Sequence, residues 1–339
     1  MIFACLHWEL ISISGRDKLT QNNVKDFPGL GQECLPESPV DSVTEICGIA
    51  VPVFQAGMAG LSGPTLVAAV SEAGGLGHLG ALRVLPQTLR DWIRQTREKT
   101  DKPFGVNLVP QFGGPEFFEA GLRVVLEEKP KVVSLYYGDF KNVIPRAKDA
   151  GIITMVQVGT VADAKKAVAD GADIIIAQGI EGGGHLTQGR VGLMALLPAV
   201  VDIAGSRPVI AAGAVNDIRA VRAVRCLGAL GVWCGTAFLA SQECDAHNAY
   251  KEKLVNADTD MPKFLTGYSY GWRYGTPHRA IVGRGGWNLL RFMGGGIRTF
   301  DDGVMAEKLS LYAGQGVGQI DSIRPASDIV RDLAAGFAC

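Results

Sequence analysis

The sequence predicts an α/β protein, a (β/α)8 barrel with a small lobe inserted after its eighth strand. Short apolar runs alternate with helix-like stretches from about Ile49 to Ala240. The runs are continuous rather than alternating, the mark of strands covered by helices on both faces. Eight of them recur at a spacing of roughly 25 residues, which suits a closed barrel better than a doubly wound sheet.

The predicted strands are Val51–Phe54, Gly77–Leu79, Phe104–Val109, Val132–Leu135, Ile153–Val158, Ile174–Ala177, Val209–Ala212 and Gly231–Cys234. Between them lie predicted helices over Pro64–Glu72, Pro86–Lys99, Glu116–Glu127, Val143–Asp149, Val161–Asp170, Leu193–Ile203 and Asp217–Arg225. The pairs Ala73-Gly74, Ala150-Gly151 and Asp170-Gly171 mark the returns from helix to strand. Glycine just past a helix end takes the left-handed cap conformation. Beyond Ala240 the rhythm breaks into aromatic- and glycine-rich sequence, including Gly267–Trp272 and Phe292–Gly296. From Ala306 to Phe337 it reads as helical again. The predicted organisation is an extension over residues 1–47, a barrel over 48–240 and 304–339, and a covering lobe over 241–303.

The chain has 339 residues, 47% of them hydrophobic, enough for a large core. A net charge of -1 without a basic stripe argues against nucleic acid or a membrane surface as partner. The apolar runs are strand-sized, so no membrane span is expected. The segment Met1–Ile13 is interrupted by His7 and Glu9 and has neither a basic start nor a cleavage site, a poor leader peptide. Seven cysteines (Cys5, Cys34, Cys47, Cys226, Cys234, Cys244, Cys339) are odd in number, with no CxxC pair. That supports neither a zinc site nor a redox dithiol. Reduced thiols and a cytoplasmic location are expected, with Cys226 and Cys234 packing as small hydrophobes.

Gly179-Ile180-Glu181-Gly182-Gly183-Gly184-His185 directly follows the sixth predicted strand. Triple glycine lets backbone approach a flat or anionic ligand closely, and histidine is the side chain best able to move a proton near neutral pH. In such a barrel the strand ends and following loops form the active face. That places the Gln55–Gly60 loop, Asn107, Gln157, Gln178, Gly213-Ala214 and Gly235-Thr236 around one mouth. The loops after strands seven and eight make the usual barrel phosphate site, where Gly213, Ala214, Gly235 and Thr236 are small or hydroxylated. The three carboxamides can donate and accept at the edge of a flavin ring. Gly75–Gly80 matches GxGxxG but contains its strand instead of following it, the reverse of the dinucleotide fingerprint. His78 is read as structural, and His7, His247 and His278 as lacking partners. No GxSxG elbow, P-loop or metal-spaced histidine pair is present.

Taken together, these residues resemble the nitronate monooxygenases, FMN-dependent TIM barrels similar to the flavin-type enoyl-acyl-carrier-protein reductases. The resemblance runs from about Pro52 to Leu333. It is carried by Gln55–Gly60, Ala73–Gly77, Lys102–Leu108, Ala177–His185, Val209–Gly213, Gly235–Leu239 and Tyr312–Gly318. It implies that Ala56, Gly57 and Met58 lie against the flavin and that Asn107, Gln157 and Gln178 contact the ring or ribityl chain. Gly183, Gly184, Gly213, Ala214, Gly235 and Thr236 are implied as further cofactor contacts, mainly at the phosphate end. His185 corresponds to the histidine that faces the substrate. Three positions depart from the family pattern: Gly183, Ala214, and Leu186-Thr187 where arginine and glycine usually follow the histidine. The implied activity is oxidation of alkyl nitronates with O2, His185 acting as base or hydrogen-bond donor. The alternatives are an NAD(P)H-dependent flavin reductase of enoyl thioesters or quinones, and a non-catalytic flavin binder. The implied partners are a small-molecule substrate and O2, and a homodimer is compatible with the sequence.

Overall fold

The computed structural model describes residues 42–111, 113–187, 189–267, 272–283 and 308–338. The expected extension therefore lies almost wholly outside the described residues, as do 268–271 and 284–303 of the expected lobe. Residues Leu35–Cys339 form one compact unit.

Eight parallel strands make a (β/α)8 barrel. They are β1 (Val53–Gln55), β2 (His78–Gly80), β3 (Gly105–Leu108), β4 (Val132–Leu135), β5 (Ile153–Val158), β6 (Ile174–Gln178), β8 (Val209–Ala212) and β9 (Gly231–Cys234), with β7 (Gly184–His185) in the loop after β6. Their order is β1-β9-β8-β6-β5-β4-β3-β2. A parallel bridge between Phe54 and Leu76 returns β2 to β1 and closes the ring. Gln55 sits on this seam. Its side-chain oxygen accepts from the His78 amide at 3.0 Å, across the β1–β2 junction.

Two apolar layers follow from strand alternation. Phe54, Leu76, Val132, Met155, Ile174, Ile176, Ile210 and Trp233 fill the barrel interior. Val43 and Cys47 of α1 (Val43–Cys47) join them, with Cys47 near Lys131 at the start of β4, so α1 closes the N-terminal end. The opposite strand faces pack on α2 (Pro64–Glu72), α3 (Pro86–Lys99), α4 (Gly114–Glu128), α5 (Ile144–Asp149), α6 (Val161–Ala169), α7 (Leu193–Ala204) and α8 (Ile218–Cys226). Cys234 is buried as expected, but Cys226 is exposed, because the last residue of α8 falls on its outward face.

After α9 (Thr236–Leu239) come α10 (Asn248–Val255), β10 (Pro262–Leu265) and β11 (His278–Ile281). The expectation of helix from Ala306 is corrected. Among the described residues from 309 on, Leu311–Tyr312 is β12, Gln315–Gln319 a 3-10 turn, and Ala326–Ala334 an α-helix. Glycines at 314, 316 and 318 break the helical pattern there, and β12 instead pairs antiparallel with β11. β11 pairs with β10 on its other side and, further along, with β7. The lobe thus reaches into the barrel loop that carries His185. No described helix is long and apolar enough to cross a membrane.

Candidate active site

A cavity of ≈ 330 Å³ opens at the C-terminal ends of the barrel strands, within the range of small-molecule sites. Ala56, Gly57, Met58, Asn107, Gln157, Gln178, Gly183, Gly184, His185, Gly213, Ala214, Gly235 and Thr236 all line it. These expected residues are thereby brought to one place.

One wall is the loop after β1. Met58 donates its amide to Ser62 Oγ at 2.7 Å, and Ser62 donates back to the Met58 carbonyl at 3.1 Å. Gly57 has to be glycine, since a Cβ there would sit 2.3 Å from Asn107 Cβ. Gln55, which the resemblance put with this loop, instead turns to the barrel seam and is not part of the lining.

The carboxamides are fixed by their neighbours. Asn107 donates to Ser134 Oγ at 3.0 Å, which leaves its carbonyl oxygen for the cavity. Gln178 accepts from the Tyr136 hydroxyl at 3.1 Å, which leaves its amide as donor. The same hydroxyl lies 2.9 Å from the His185 carbonyl. Burial holds the Tyr136 pKa well above its usual value, so it remains a donor.

The cavity is also lined by Gly182, Gly183, Gly184, Gly213, Ala214, Gly235, Thr236 and Gly314. Gly213 has φ 111° and Gly184 φ 72°, conformations that favour glycine. Ala214 adopts φ 54°, which for a residue with a Cβ costs about 1–2 kcal/mol. A Cβ on Gly183 would lie 2.4 Å from the Gly314 amide. Thr236 Oγ1 accepts from that amide at 3.0 Å, so the two chain segments are tied side by side.

His185 shares this lining. It is 9% exposed and stacked on Trp272, ring centroids 3.8 Å apart and planes 16° apart. Tyr312 meets it edge-on at 5.3 Å, and His278 lies at 5.4 Å. Burial pushes its pKa down to about 2, with His278 and Arg83 adding to the shift. The ring is neutral in the working pH range. The turn before it is braced by Glu181, whose carboxylate accepts from the Leu193 amide at 3.0 and 3.1 Å and so caps α7. The Glu181 carbonyl accepts from Gln315 at 2.9 Å.

Sequence reasoning missed Arg83, Tyr136, Trp272, Gly314 and Tyr312 in the lining, and His278 behind His185. The Tyr312–Gly314 stretch was visible as a motif, but its place came only with β12. The other histidine read as structural, His78, lies wholly buried in the barrel, edge-on to Trp233 at 4.5 Å. Among the described residues no His/Cys/Asp/Glu group is arranged to hold a metal.

The family model for nitronate monooxygenase matches residues 41–115 and 109–285. The nitronate monooxygenase of Pseudomonas aeruginosa is 37% identical over 257 residues, 63% of this chain and 73% of that protein. The (3aS,4S,5R,7aS)-5-hydroxy-7a-methyl-1-oxo-octahydro-1H-indene-4-carboxyl-CoA dehydrogenase of Mycobacterium tuberculosis is 38% identical over 243 residues. That match spans 70% of this chain and 65% of the relative's length. Among solved structures, FabK from Thermotoga maritima superposes with a TM-score of 0.76 at 34% identity, covering 88% of this chain and 96% of that one. With the family model spanning all eight barrel strands and the His185 loop, the chain belongs to the nitronate monooxygenase family, a family of flavin oxidoreductases.

Proposed function

We propose that this protein is an FMN-dependent oxidoreductase that oxidises alkyl nitronates with O2 to a carbonyl compound and nitrite. The observation that carries the reading is a buried His185, stacked on Trp272, in a cavity whose lining brings three carboxamides and bare glycine backbone together.

Three carboxamides and bare glycine backbone in one cavity support FMN as the flavin. Gly57 and Gly183 are held to glycine by the protein's own packing, against Asn107 and the Ala313–Gly314 backbone, and both border the cavity with bare backbone. Ala56, Gly57 and Met58 would lie against the ring, and Asn107, Gln157 and Gln178 would address its polar edge. Gly183, Gly184, Gly213, Ala214, Gly235 and Thr236 would hold the ribityl phosphate. Bound flavin supplies the capacity to take electrons from the substrate and pass them to O2.

The chain's own residues bind and orient the substrate. His185, with its pKa held at about 2, is a weak base and a ready N–H donor. It would therefore hydrogen-bond a nitronate oxygen instead of removing a proton from a neutral nitroalkane. Stacking on Trp272 fixes the plane of the ring. The Tyr136 hydroxyl lies within reach of both the His185 carbonyl and Gln178 Oε1 and shares its single proton between them, which places His185 beside the expected flavin edge.

The test is nitrite release and oxygen uptake by the flavin-loaded protein with a simple alkyl nitronate, set against NADH oxidation with an enoyl thioester. Nitrite formed without NADH supports the proposal. NADH-driven turnover with the nitronate inert overturns it in favour of a thioester or quinone reductase. That second reading is supported by the 38% identity to a CoA-thioester dehydrogenase.

A further inference from the structure

Two consecutive side chains of β11 brace the His185 loop. His278 is the register partner of His185, and Arg279 is the partner of Gly184. Arg279 is 5% exposed. Its guanidinium donates to the Ile180 carbonyl through Nη2 at 3.0 Å and Nε at 3.2 Å. Through Nη1 it reaches the Pro262 carbonyl at 3.2 Å. Phe264 of β10 lies under the guanidinium at 5.9 Å.

A buried guanidinium is costly unless its N–H groups are met. Here carbonyl oxygens meet them, and the rigid fork fixes two chain segments at once. One segment is the start of the glycine turn, at Ile180. The other is β10 of the lobe, at Pro262. Glu181, the neighbouring carboxylate, is engaged with the Leu193 amide of α7. The turn from Gly179 to Gly184 is rich in glycine and has little rigidity of its own, so its shape depends on such external ties.

We propose that Arg279 is a positioning residue: its guanidinium fixes the glycine turn so that His185 is presented to the substrate at the correct distance and angle. The inference rests on His185 facing the substrate as proposed above, and it extends that reading to a residue outside the cavity lining.

The test compares Arg279→Met, which keeps the stem and loses every N–H, with Arg279→Lys, which restores one donor and the charge. Both are purified with flavin bound. In Arg279→Met, kcat for nitrite release is expected to fall about 10²-fold, the scale of a 1 Å misplacement, with KM and flavin content near wild type. Arg279→Lys is expected to recover at least a tenfold part of that loss. A second readout needs no turnover: the rate at which diethyl pyrocarbonate modifies His185, followed by mass spectrometry of its peptide. That rate should rise in Arg279→Met and return towards wild type in Arg279→Lys. Wild-type kcat and labelling in Arg279→Met overturn the proposal. Equal loss of kcat in both variants with unchanged labelling also overturns it. If the wild-type protein itself releases no nitrite, the reaction assignment fails and the labelling arm still decides the role of Arg279. If Arg279→Met does not fold, Arg279→Gln takes its place on the same two readouts.

Discussion

Gly80→Ala is a one-methyl perturbation of the cavity wall. Gly80 ends β2, and a Cβ there would lie 2.1 Å from the Met58 carbonyl oxygen, 2.5 Å from its carbon and 2.8 Å from Ser62 Oγ. Ordinary contact begins near 3.4 Å, so the Met58 loop must retreat by about 1.3 Å. The obstacle is backbone, and no rotamer change relieves it. Gly80 is also bonded to this loop on both sides, its amide to Ser62 at 3.2 Å and its carbonyl to Gly60 at 3.3 Å. Overpacking of this kind costs about 1–3 kcal/mol of stability. Because Met58 lines the cavity, part of the displacement goes into the expected flavin face. The dissociation constant for FMN, measured by fluorescence titration of the apoprotein, should rise at least tenfold, about 1.4 kcal/mol. Gly151→Ala is the control. It sits at φ 76° with open space around its Cβ position, so it should lose about 1 kcal/mol to backbone strain and leave FMN affinity alone. Wild-type FMN affinity and melting temperature in Gly80→Ala would refute the reasoning, for they would mean that the Met58 loop yields without cost.

Replacing His185 separates donor from base. Both His185→Ala and His185→Gln should keep flavin, but Ala should lose about 10²–10⁴-fold in turnover while Gln, which keeps an N–H, should retain distinctly more. Equal losses would point to the base role. His78 is wholly buried and neither ring nitrogen has a hydrogen bond of good geometry, the Leu76 and Gln55 backbone being the nearest partners, so His78→Leu should stabilise the protein by about 1 kcal/mol in thermal or denaturant unfolding. The pKa values of His78 and His185 are pushed down to about 3 and about 2. Unfolding therefore takes up protons below the ordinary value near 6.5. Stability is full above that pH and falls as pH drops towards 3 and 2, by up to about 1.4 kcal/mol per pH unit for each histidine. His78→Leu should flatten this acid slope by its own share, and an unchanged slope in the variant counts against the shift. Ala214→Gly removes the φ 54° strain. Against the entropy that glycine adds to the unfolded chain, it should gain up to about 1 kcal/mol with FMN affinity intact.

Much of the barrel could be read from the sequence because each strand is a continuous apolar run and each helix carries its own period. Val132–Leu135, Ile153–Val158, Val209–Ala212 and Gly231–Cys234 form as expected, residue for residue. The glycines and carboxamides of the site were equally legible, since a barrel fixes which end of each strand faces the ligand. What could not be read depends on contacts distant in sequence. Gly184-His185 is a strand only because β11 lies beside it; two residues carry no periodicity of their own. His278 has no local signal, for its significance is its register with His185. Trp272 and Tyr312 enter the lining from the lobe and the C-terminal segment, where glycine breaks the pattern that strand and helix prediction needs. Gln55 heads a cavity loop, yet its carboxamide is spent on the β1–β2 seam, a partner that the sequence alone does not indicate.

The ladder through β7, β11 and β12 also sets an order of events in folding. Most neighbouring barrel strands are close in sequence, but β1 joins β9 between Val53 and Val232, which both precede Arg279, whose tie to Ile180 spans a further 99 residues. Loops of that size close late, after local structure has formed. On a ribosome the barrel strands emerge first, and the segment bearing Tyr312 follows His185 by on the order of ten seconds. During that interval the glycine turn lacks its brace, and the histidine it carries has neither Trp272 nor Tyr312 against it. The nascent chain would therefore be able to assemble its barrel well before it could react, so that redox chemistry begins only once the whole site is enclosed.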